Sequence, residues 1–156
     1  MTTAPQVGDA APDFSLAGDT GPISLSDFAG KKLVLYFYPK DDTPGCTTEG
    51  KDFSAHSASF AAADTAIVGV SRDSVAAHAK FRAKHGLTVG LGADDAGAVT
   101  EAYGVWVEKN MYGKKYMGIE RATFLIGRDG RIVGVWRKVK VAGHAAGVLA
   151  AAQPLA

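Results

Sequence analysis

The chain is poor in cysteine and nearly neutral, and each shortage excludes classes of function. Its 156 residues include one cysteine, Cys46, so the chain cannot form an internal disulfide or act as a two-thiol exchanger. Lys and Arg number 17 against 16 Asp and Glu, and the formal net charge of +1 provides no field for attracting nucleic acid or an anionic membrane. What remains is a near-neutral protein whose distinctive reactive group is one thiol.

Long apolar runs and targeting segments are also missing from the sequence. No stretch approaches the roughly 20 apolar residues that a membrane-spanning helix needs. The first residues, MTTAPQVGDAAPDF, have neither the basic region nor the apolar segment of a secretory signal. We therefore expect a cytoplasmic protein that does not associate with membranes.

The four histidines do not form a recognisable site. His78, His85 and His144 fall on different predicted elements without metal-ligand spacing, so we expect no metal. His56 follows Cys46 by about 15 Å of predicted helix, too far for a proton transfer to the thiol. The glycine patterns of nucleotide-binding loops are absent as well. The sequence thus predicts chemistry without a cofactor.

Apolar patterning predicts an α/β protein, a single domain over residues 1–156. The continuous β-rich runs Lys32–Tyr38 and Thr65–Ser71 are typical of strands that are buried on both faces. The other predicted elements are a short strand at PISL, a turn capped by Ser26, a helix from about Cys46 to Ala63, a helix capped by Asp73 and ended by Gly86, a strand, helical turn and strand over 87–105, a hairpin over 122–136 that turns at 127–130, and a helix over 142–152. Their order predicts a thioredoxin-like fold with an N-terminal extension and a central mixed β-sheet flanked by helices.

The single cysteine lies where a loop meets the first long predicted helix, within YFYPKDDTPGCTTEGKDF. Unpaired N–H groups at a helix start stabilise a thiolate, which suits attack on a weak, polarisable bond. Thr43 can place its hydroxyl beside the sulfur of Cys46, while Pro39 and Pro44 stiffen the loop and Gly45 lets the backbone approach a ligand. Pro44 and Gly45 are therefore candidate substrate-binding residues. Isolated cysteines are more often inert and buried, but this position favours a reactive one.

This stretch resembles the peroxiredoxin active-site pattern Pro-x-x-x-Thr-x-x-Cys, here Pro39, Thr43 and Cys46. It is most similar to the bacterioferritin comigratory protein subfamily, also called peroxiredoxin Q. Other segments resemble that subfamily in the same order: GDAAPDFSL, GVSRDSVAAHAKFRAKHGL, YGVWVEKNMYGKKYMGIERATFLI and RKVKVAGHAAGVL. The resemblance covers nearly the whole chain.

The resemblance implies a role for each matching residue. Cys46 would be the peroxidatic cysteine, which attacks the peroxide O–O bond and becomes a sulfenic acid. Thr43 would hydrogen-bond the thiolate and the peroxide, and Pro39 would shield the site from water. Arg121, in GIERATFLI, would hold the thiolate and polarise the peroxide, and Glu49 would help to orient that arginine. A guanidinium suits its role because it combines a fixed charge with several donors.

The sequence departs from the subfamily at Lys51, where many members have a second, resolving cysteine. The resemblance is therefore to a one-cysteine peroxiredoxin, which reduces hydrogen peroxide and organic hydroperoxides and is itself reduced by an external thiol: thioredoxin, glutaredoxin or glutathione. Glycine inside a helix is destabilising, and this helix contains Gly50. We therefore predict that its first turns open to admit such a thiol.

Three further expectations concern the kind of function, the oligomeric state and one basic segment. The alternative to an enzyme is a non-catalytic peroxide sensor, or a redox-switched binding or chaperone module that uses the same cysteine. The subfamily resemblance implies a monomer, and the missing second cysteine leaves room for a weak dimer. The basic and aromatic segment KNMYGKKYMG is interpreted as a surface loop and not as a nucleic-acid site.

Overall fold

A seven-stranded mixed sheet forms the centre of the computed structural model, which describes residues 4–155. The strands in this part of the chain are β1 (Ser15–Gly18), β2 (Ile23–Ser24), β3 (Lys32–Phe37), β4 (Thr65–Ser71), β5 (Gly90–Ala93), β6 (Trp106–Met111), β7 (Lys114–Ile119), β8 (Ala122–Ile126) and β9 (Ile132–Trp136). The sheet order is β2-β1-β5-β4-β3-β8-β9, and β6 pairs with β7 separately. Strands β3, β4 and β5 are parallel, whereas β1, β8 and β9 run antiparallel to their neighbours. The predicted mixed sheet is confirmed.

Helices cover both faces of the sheet, as the predicted fold class requires. They are α1 (Pro44–Ala55), α2 (Ser57–Ala62), α3 (Val75–His85), α4 (Ala98–Ala102) and α5 (His144–Ala152), with a 3-10 turn at Leu25–Phe28. Strand β3 is buried along its whole length because alternate side chains enter two cores. Val34 and Tyr36 face the core made with α1, α2, α3 and α5, and Leu35 and Phe37 face the core that includes α4.

The strand register brings two distant parts of the chain together at one end of the strands of the sheet. Strand β3 ends at Phe37, which pairs with Ala122, the first residue of the antiparallel strand β8. Arg121 therefore lies beside the loop that leaves β3 and leads to α1. The carboxyl ends of the parallel strands lie here, and this is where open α/β sheets bind ligands.

The predicted helix from Cys46 to Ala63 is two helices, because it breaks at His56. The His56 backbone leaves helical geometry (φ −94°, ψ 3°), and nearby serine side chains bind main-chain groups. Ser57 Oγ donates to the Ser54 carbonyl at 2.8 Å, and Ser54 Oγ accepts from the Thr88 N–H at 3.0 Å. Serine side chains compete with helical hydrogen bonds in this way, and the sequence prediction gave them too little weight.

Two predicted caps are wrong by one or two positions. Ser74, not Asp73, caps α3, since its hydroxyl accepts from the Ala77 N–H at 3.1 Å. The 3-10 turn begins after Ser24, not Ser26. The predicted helix end at Gly86 is confirmed: its positive φ of 63° is the left-handed conformation that glycine adopts without strain.

The segment predicted as a surface loop, KNMYGKKYMG, is a β-hairpin instead. It contains the second half of β6 and nearly all of β7, which pair antiparallel from Trp106↔Ile119 to Met111↔Lys114. The two turn residues, Tyr112 and Gly113, both have positive φ, at 53° and 80°. A two-residue turn of that type fits the twist of a hairpin. Tyrosine is uncommon in this conformation, so the turn has no recognisable sequence signal.

Two features of residues 4–155 bear on functions that the sequence disfavours. Across residues 4–155, no helix is both long and apolar enough to span a bilayer. Within the same residues, no three His, Cys, Asp or Glu side chains are grouped as metal ligands would be. The single-domain organisation stays a prediction, supported by the one sheet to which both ends of the described chain contribute strands.

Candidate active site

The first turn of α1 holds Cys46. Thr43 is the N-cap, Pro44 is the first helical residue, and Cys46 is the third. The helical ladder begins with the Thr47 N–H, which donates to the Thr43 carbonyl at 2.8 Å. The N–H groups of Gly45 and Cys46 precede that bond, so the helix itself supplies them with no acceptor. The expected cluster of donors at the cysteine is therefore present.

Arg121 contacts the cysteine directly, although the two residues are far apart in sequence. Its Nη2 donates to Cys46 Sγ at 3.3 Å, and Cys46 is only 2% exposed. A Cβ atom at Gly45 would lie 3.1 Å from Nη2, closer than most real contacts. Glycine at this position therefore lets the guanidinium reach the sulfur. The fixed positive charge stabilises a thiolate there.

Glu49 holds the other side of the same guanidinium. Its Oε1 accepts from Arg121 Nη1 at 2.6 Å, while Oε2 is buried without a hydrogen-bond partner in the described part of the chain. Burial outweighs the positive charge of Arg121 and raises the pKa of Glu49 from 4.5 to about 7. The carboxyl is therefore only partly ionised near neutral pH, which leaves positive charge on Arg121 available to the sulfur of Cys46.

The remaining predicted site residues lie in the loop before Cys46. Thr43 is the N-cap by position, but its hydroxyl makes no capping hydrogen bond and instead donates to the Lys40 carbonyl at 2.8 Å, which fixes the loop. Pro39 is half-buried and lines a cavity beside that loop. Pro44 is exposed at the helix start, where proline is favoured because no N–H is needed. The proposed roles of Thr43, Pro39 and Pro44 toward peroxide stay predictions.

Lys51, in the second half of α1, occupies the position at which the subfamily often has a resolving cysteine. Lys51 is exposed, so this position points to solvent. The neighbouring Gly50 is buried, and a Cβ there would meet both Leu87 methyl carbons at 3.3 Å. Close packing against Leu87 is thus a structural reason for Gly50, separate from helix opening, which stays a prediction.

Sequence reasoning missed a buried ion pair that anchors the loop. His78 Nδ1 lies 2.6 Å from Asp41 Oδ2, and Nε2 lies 2.9 Å from the Gly92 carbonyl. Both partners are acceptors, so both ring nitrogens donate and His78 is the imidazolium cation. Asp41 also accepts from the Tyr38 hydroxyl at 2.6 Å and donates its N–H to Asp73 at 2.8 Å. No spacing rule links residues 37 positions apart on a loop and a helix.

Replacing His78 with glutamine should destabilise the protein in a pH-dependent way. Burial lowers the pKa of His78, but the hydrogen bond and charge of Asp41 outweigh burial and raise it above 6.5. The cation therefore stabilises the fold fully below pH 6.5, and this contribution is lost as pH rises through the folded-state pKa. We expect urea unfolding at pH 6 to show a loss of about 3 kcal/mol in His78→Gln, and a smaller loss at pH 9.

The matched control for this prediction is His56→Gln, at the junction of α1 and α2. The side chain of His56 is only partly buried, so we expect its replacement to change the free energy of unfolding by less than about 0.5 kcal/mol at both pH values. A difference between wild type and His78→Gln that is equal at pH 6 and pH 9 would show that His78 is not a cation in the folded protein.

Comparison with known proteins agrees with this geometry. The sequence profile described as the AhpC/TSA family matches residues 7–135. The peroxiredoxin Bcp of Bacillus subtilis is 53% identical over 145 residues, which are 92% of this chain and 92% of that protein. The solved structure of Xanthomonas campestris peroxiredoxin Q superposes with a TM-score of 0.88 at 50% identity and covers 96% of both chains.

A second solved structure connects this likeness to chemistry. It is the bacterioferritin comigratory protein of X. campestris, studied for its alkyl peroxide reduction activity, with a TM-score of 0.88, 50% identity and 96% coverage of both chains. Both the family match and the high-identity relatives span most of the chain, including the start of α1. The protein is therefore a thiol-dependent peroxidase with a thioredoxin-like fold, and it belongs to the AhpC/TSA family as a peroxiredoxin of the bacterioferritin comigratory protein type.

Proposed function

We propose that Cys46 is the peroxidatic nucleophile and that Arg121 and Glu49 prepare it for reaction. The observation that carries this proposal is one guanidinium shared by two partners, with Nη2 on Cys46 Sγ at 3.3 Å and Nη1 on Glu49 Oε1 at 2.6 Å. Because its two terminal nitrogens donate to different partners, the guanidinium is fixed in position and its positive charge lies against the sulfur of Cys46.

The reaction follows from the groups around the sulfur. The thiolate of Cys46 attacks the terminal oxygen of a hydroperoxide, an S–O bond forms and the O–O bond breaks. The departing alkoxide or hydroxide takes a proton and leaves as alcohol or water, and Cys46 becomes a sulfenic acid. Developing charge on that oxygen is stabilised by Arg121 and by the free N–H groups of Gly45 and Cys46.

The reducing half-reaction needs a thiol from outside the chain. With one cysteine in the sequence, the sulfenic acid condenses with an external thiol, releases water and forms a mixed disulfide, which a second thiol then reduces. Thioredoxin, glutaredoxin and glutathione are the proposed donors. Because Cys46 is 2% exposed, the first turn of α1 must move before a bulky thiol reaches Sγ.

Hydrogen peroxide and organic hydroperoxides are the proposed substrates, and the activity of the X. campestris relative toward alkyl peroxides supports the second class. We place the protein in the cytoplasm, where glutathione and thioredoxin keep thiols reduced. A monomer or weak dimer remains our expectation.

Turnover distinguishes this enzyme from a peroxide sensor. Purified protein is given excess hydrogen peroxide with thioredoxin and its reductase, glutaredoxin with glutathione, glutathione alone, or dithiothreitol. We expect many peroxide molecules to be consumed per protein with at least one donor, and markedly different rates among donors. One oxidation per protein that none of the four donors reverses would instead identify a sensor.

A further inference from the structure

A cavity of about 370 Å³ lies between the β6–β7 hairpin and the loop that leads from β3 to the peroxidatic cysteine. The hairpin contributes Lys109 and the apolar side chains Trp106 and Met117, and the loop contributes Pro39 and Lys40. The mechanism described above makes no use of this space.

The charged groups that line the cavity are mostly cations. Lys40 and Lys109 form no ion pair with a carboxylate in residues 4–155, and Arg72 is the third cation. Asp73 is the one acidic residue in the lining, and its Oδ2 already accepts from the Asp41 N–H at 2.8 Å and from Ser71 Oγ at 2.6 Å. The cavity therefore presents an excess of positive charge.

Arg72 is held rigidly in the wall of the cavity. Its guanidinium carbon lies 3.4 Å from the centre of the Trp106 ring, and its Nε and Nη2 donate to Thr100 Oγ1 at 3.0 Å and to the Gly97 carbonyl at 3.2 Å. These contacts leave Nη1 available. A fixed guanidinium over an apolar surface is suited to a ligand that has both a carboxylate and an apolar body.

Two of the segments that line the cavity lead directly to residues of the active site. On the loop side, the Lys40 carbonyl is hydrogen-bonded to Thr43, the N-cap of α1. On the hairpin side, Ile119 lines the cavity two residues before Arg121. Lys109 is half-buried, and its pKa is lowered by burial and then by the charge of Arg121, so the two cations influence each other.

We propose that this cavity is a carboxylate-binding subsite for the small molecules that react at Cys46, with Lys109 as the specificity-determining residue. The inference rests on the proposed peroxidase function and specifies its ligands further. Two sources share the required chemistry: an organic hydroperoxide that carries a carboxylate, or a low-molecular-weight thiol that carries one. In both, the carboxylate pairs with the cations of the cavity while the reacting oxygen or sulfur approaches Cys46.

Steady-state kinetics with two arms tests the proposal. In the first arm, dithiothreitol is constant, and a fatty-acid hydroperoxide is compared with neutral cumene hydroperoxide. In the second arm, hydrogen peroxide is constant, and 3-mercaptopropionate is compared with its methyl ester. We expect Lys109→Gln to raise KM about fivefold for the carboxylate compound in at least one arm, and to change KM for the matching neutral compound by much less. The affected arm identifies the source.

The control variant is Lys114→Gln, on the same hairpin but outside the cavity lining, which should leave every KM unchanged. Binding of unreactive hexanoate, followed by tryptophan fluorescence, gives a readout that does not depend on turnover, and Lys109→Gln should weaken it by a similar factor. Equal effects on charged and neutral compounds, or no effect in both arms and on hexanoate, would overturn the subsite. The peroxidase function itself fails only if wild-type protein shows no turnover with any donor.

Discussion

Cys46→Ser should lose peroxide consumption entirely, down to the rate of the reductant alone, with every thiol donor. The variant keeps the size of the side chain and a group that can accept from Arg121, but serine replaces a polarisable, readily ionised thiol with a hydroxyl that stays protonated at neutral pH. No second thiol in the chain can substitute for Cys46.

Loss of folding must be separated from loss of chemistry in this variant. We expect an unfolding midpoint close to that of the wild type, because serine is readily accommodated in the first turn of a helix. Intact-protein mass after one equivalent of peroxide should show one added oxygen atom in the wild type and none in Cys46→Ser. Peroxidase activity in a folded Cys46→Ser variant would remove Cys46 from the mechanism.

The sequence predicts the sheet and the position of Cys46 at a helix start well because both depend on local patterns. The run Leu33–Tyr38 is aliphatic or aromatic throughout because β3 is covered on both faces, and the loop-to-helix position of Cys46 is a contiguous motif. The nearness of Arg121 to that motif is not local. It depends on the pairing of Phe37 with Ala122, and before the structure only the resemblance to a known family placed Arg121 at the site.

The parts that could not be predicted depend on tertiary contacts or on unusual turns. Asp41 and His78 are polar residues on separate elements, and nothing in the spacing marks them as a buried pair. Gly50 was interpreted through helix propensity alone, whereas its environment adds packing against Leu87. The hairpin turn at Tyr112 was missed because tyrosine rarely adopts a positive φ. Each case is decided by a partner that lies far away along the chain or by backbone geometry.

Arg121→Lys should lower the second-order rate constant with hydrogen peroxide by about a hundredfold, even though the positive charge is retained. Arg121 donates from two nitrogens at once, to Glu49 and to Cys46, and a single ammonium group cannot reproduce that fork. If lysine pairs with Glu49, the sulfur and the departing oxygen lose a fixed donor. Removing one such preorganised donor from an enzyme typically costs a factor of about 10² to 10³.

Stopped-flow measurement of the first oxidation isolates this step, because it does not require the thiol donor. Arg128→Lys is the matched control, since Arg128 lies just beyond the far end of β8, where it pairs with Asp64. We expect that control to react at the wild-type rate. An Arg121→Lys variant that oxidises within about threefold of the wild type would show that charge alone, and not the two-pronged geometry, activates the sulfur.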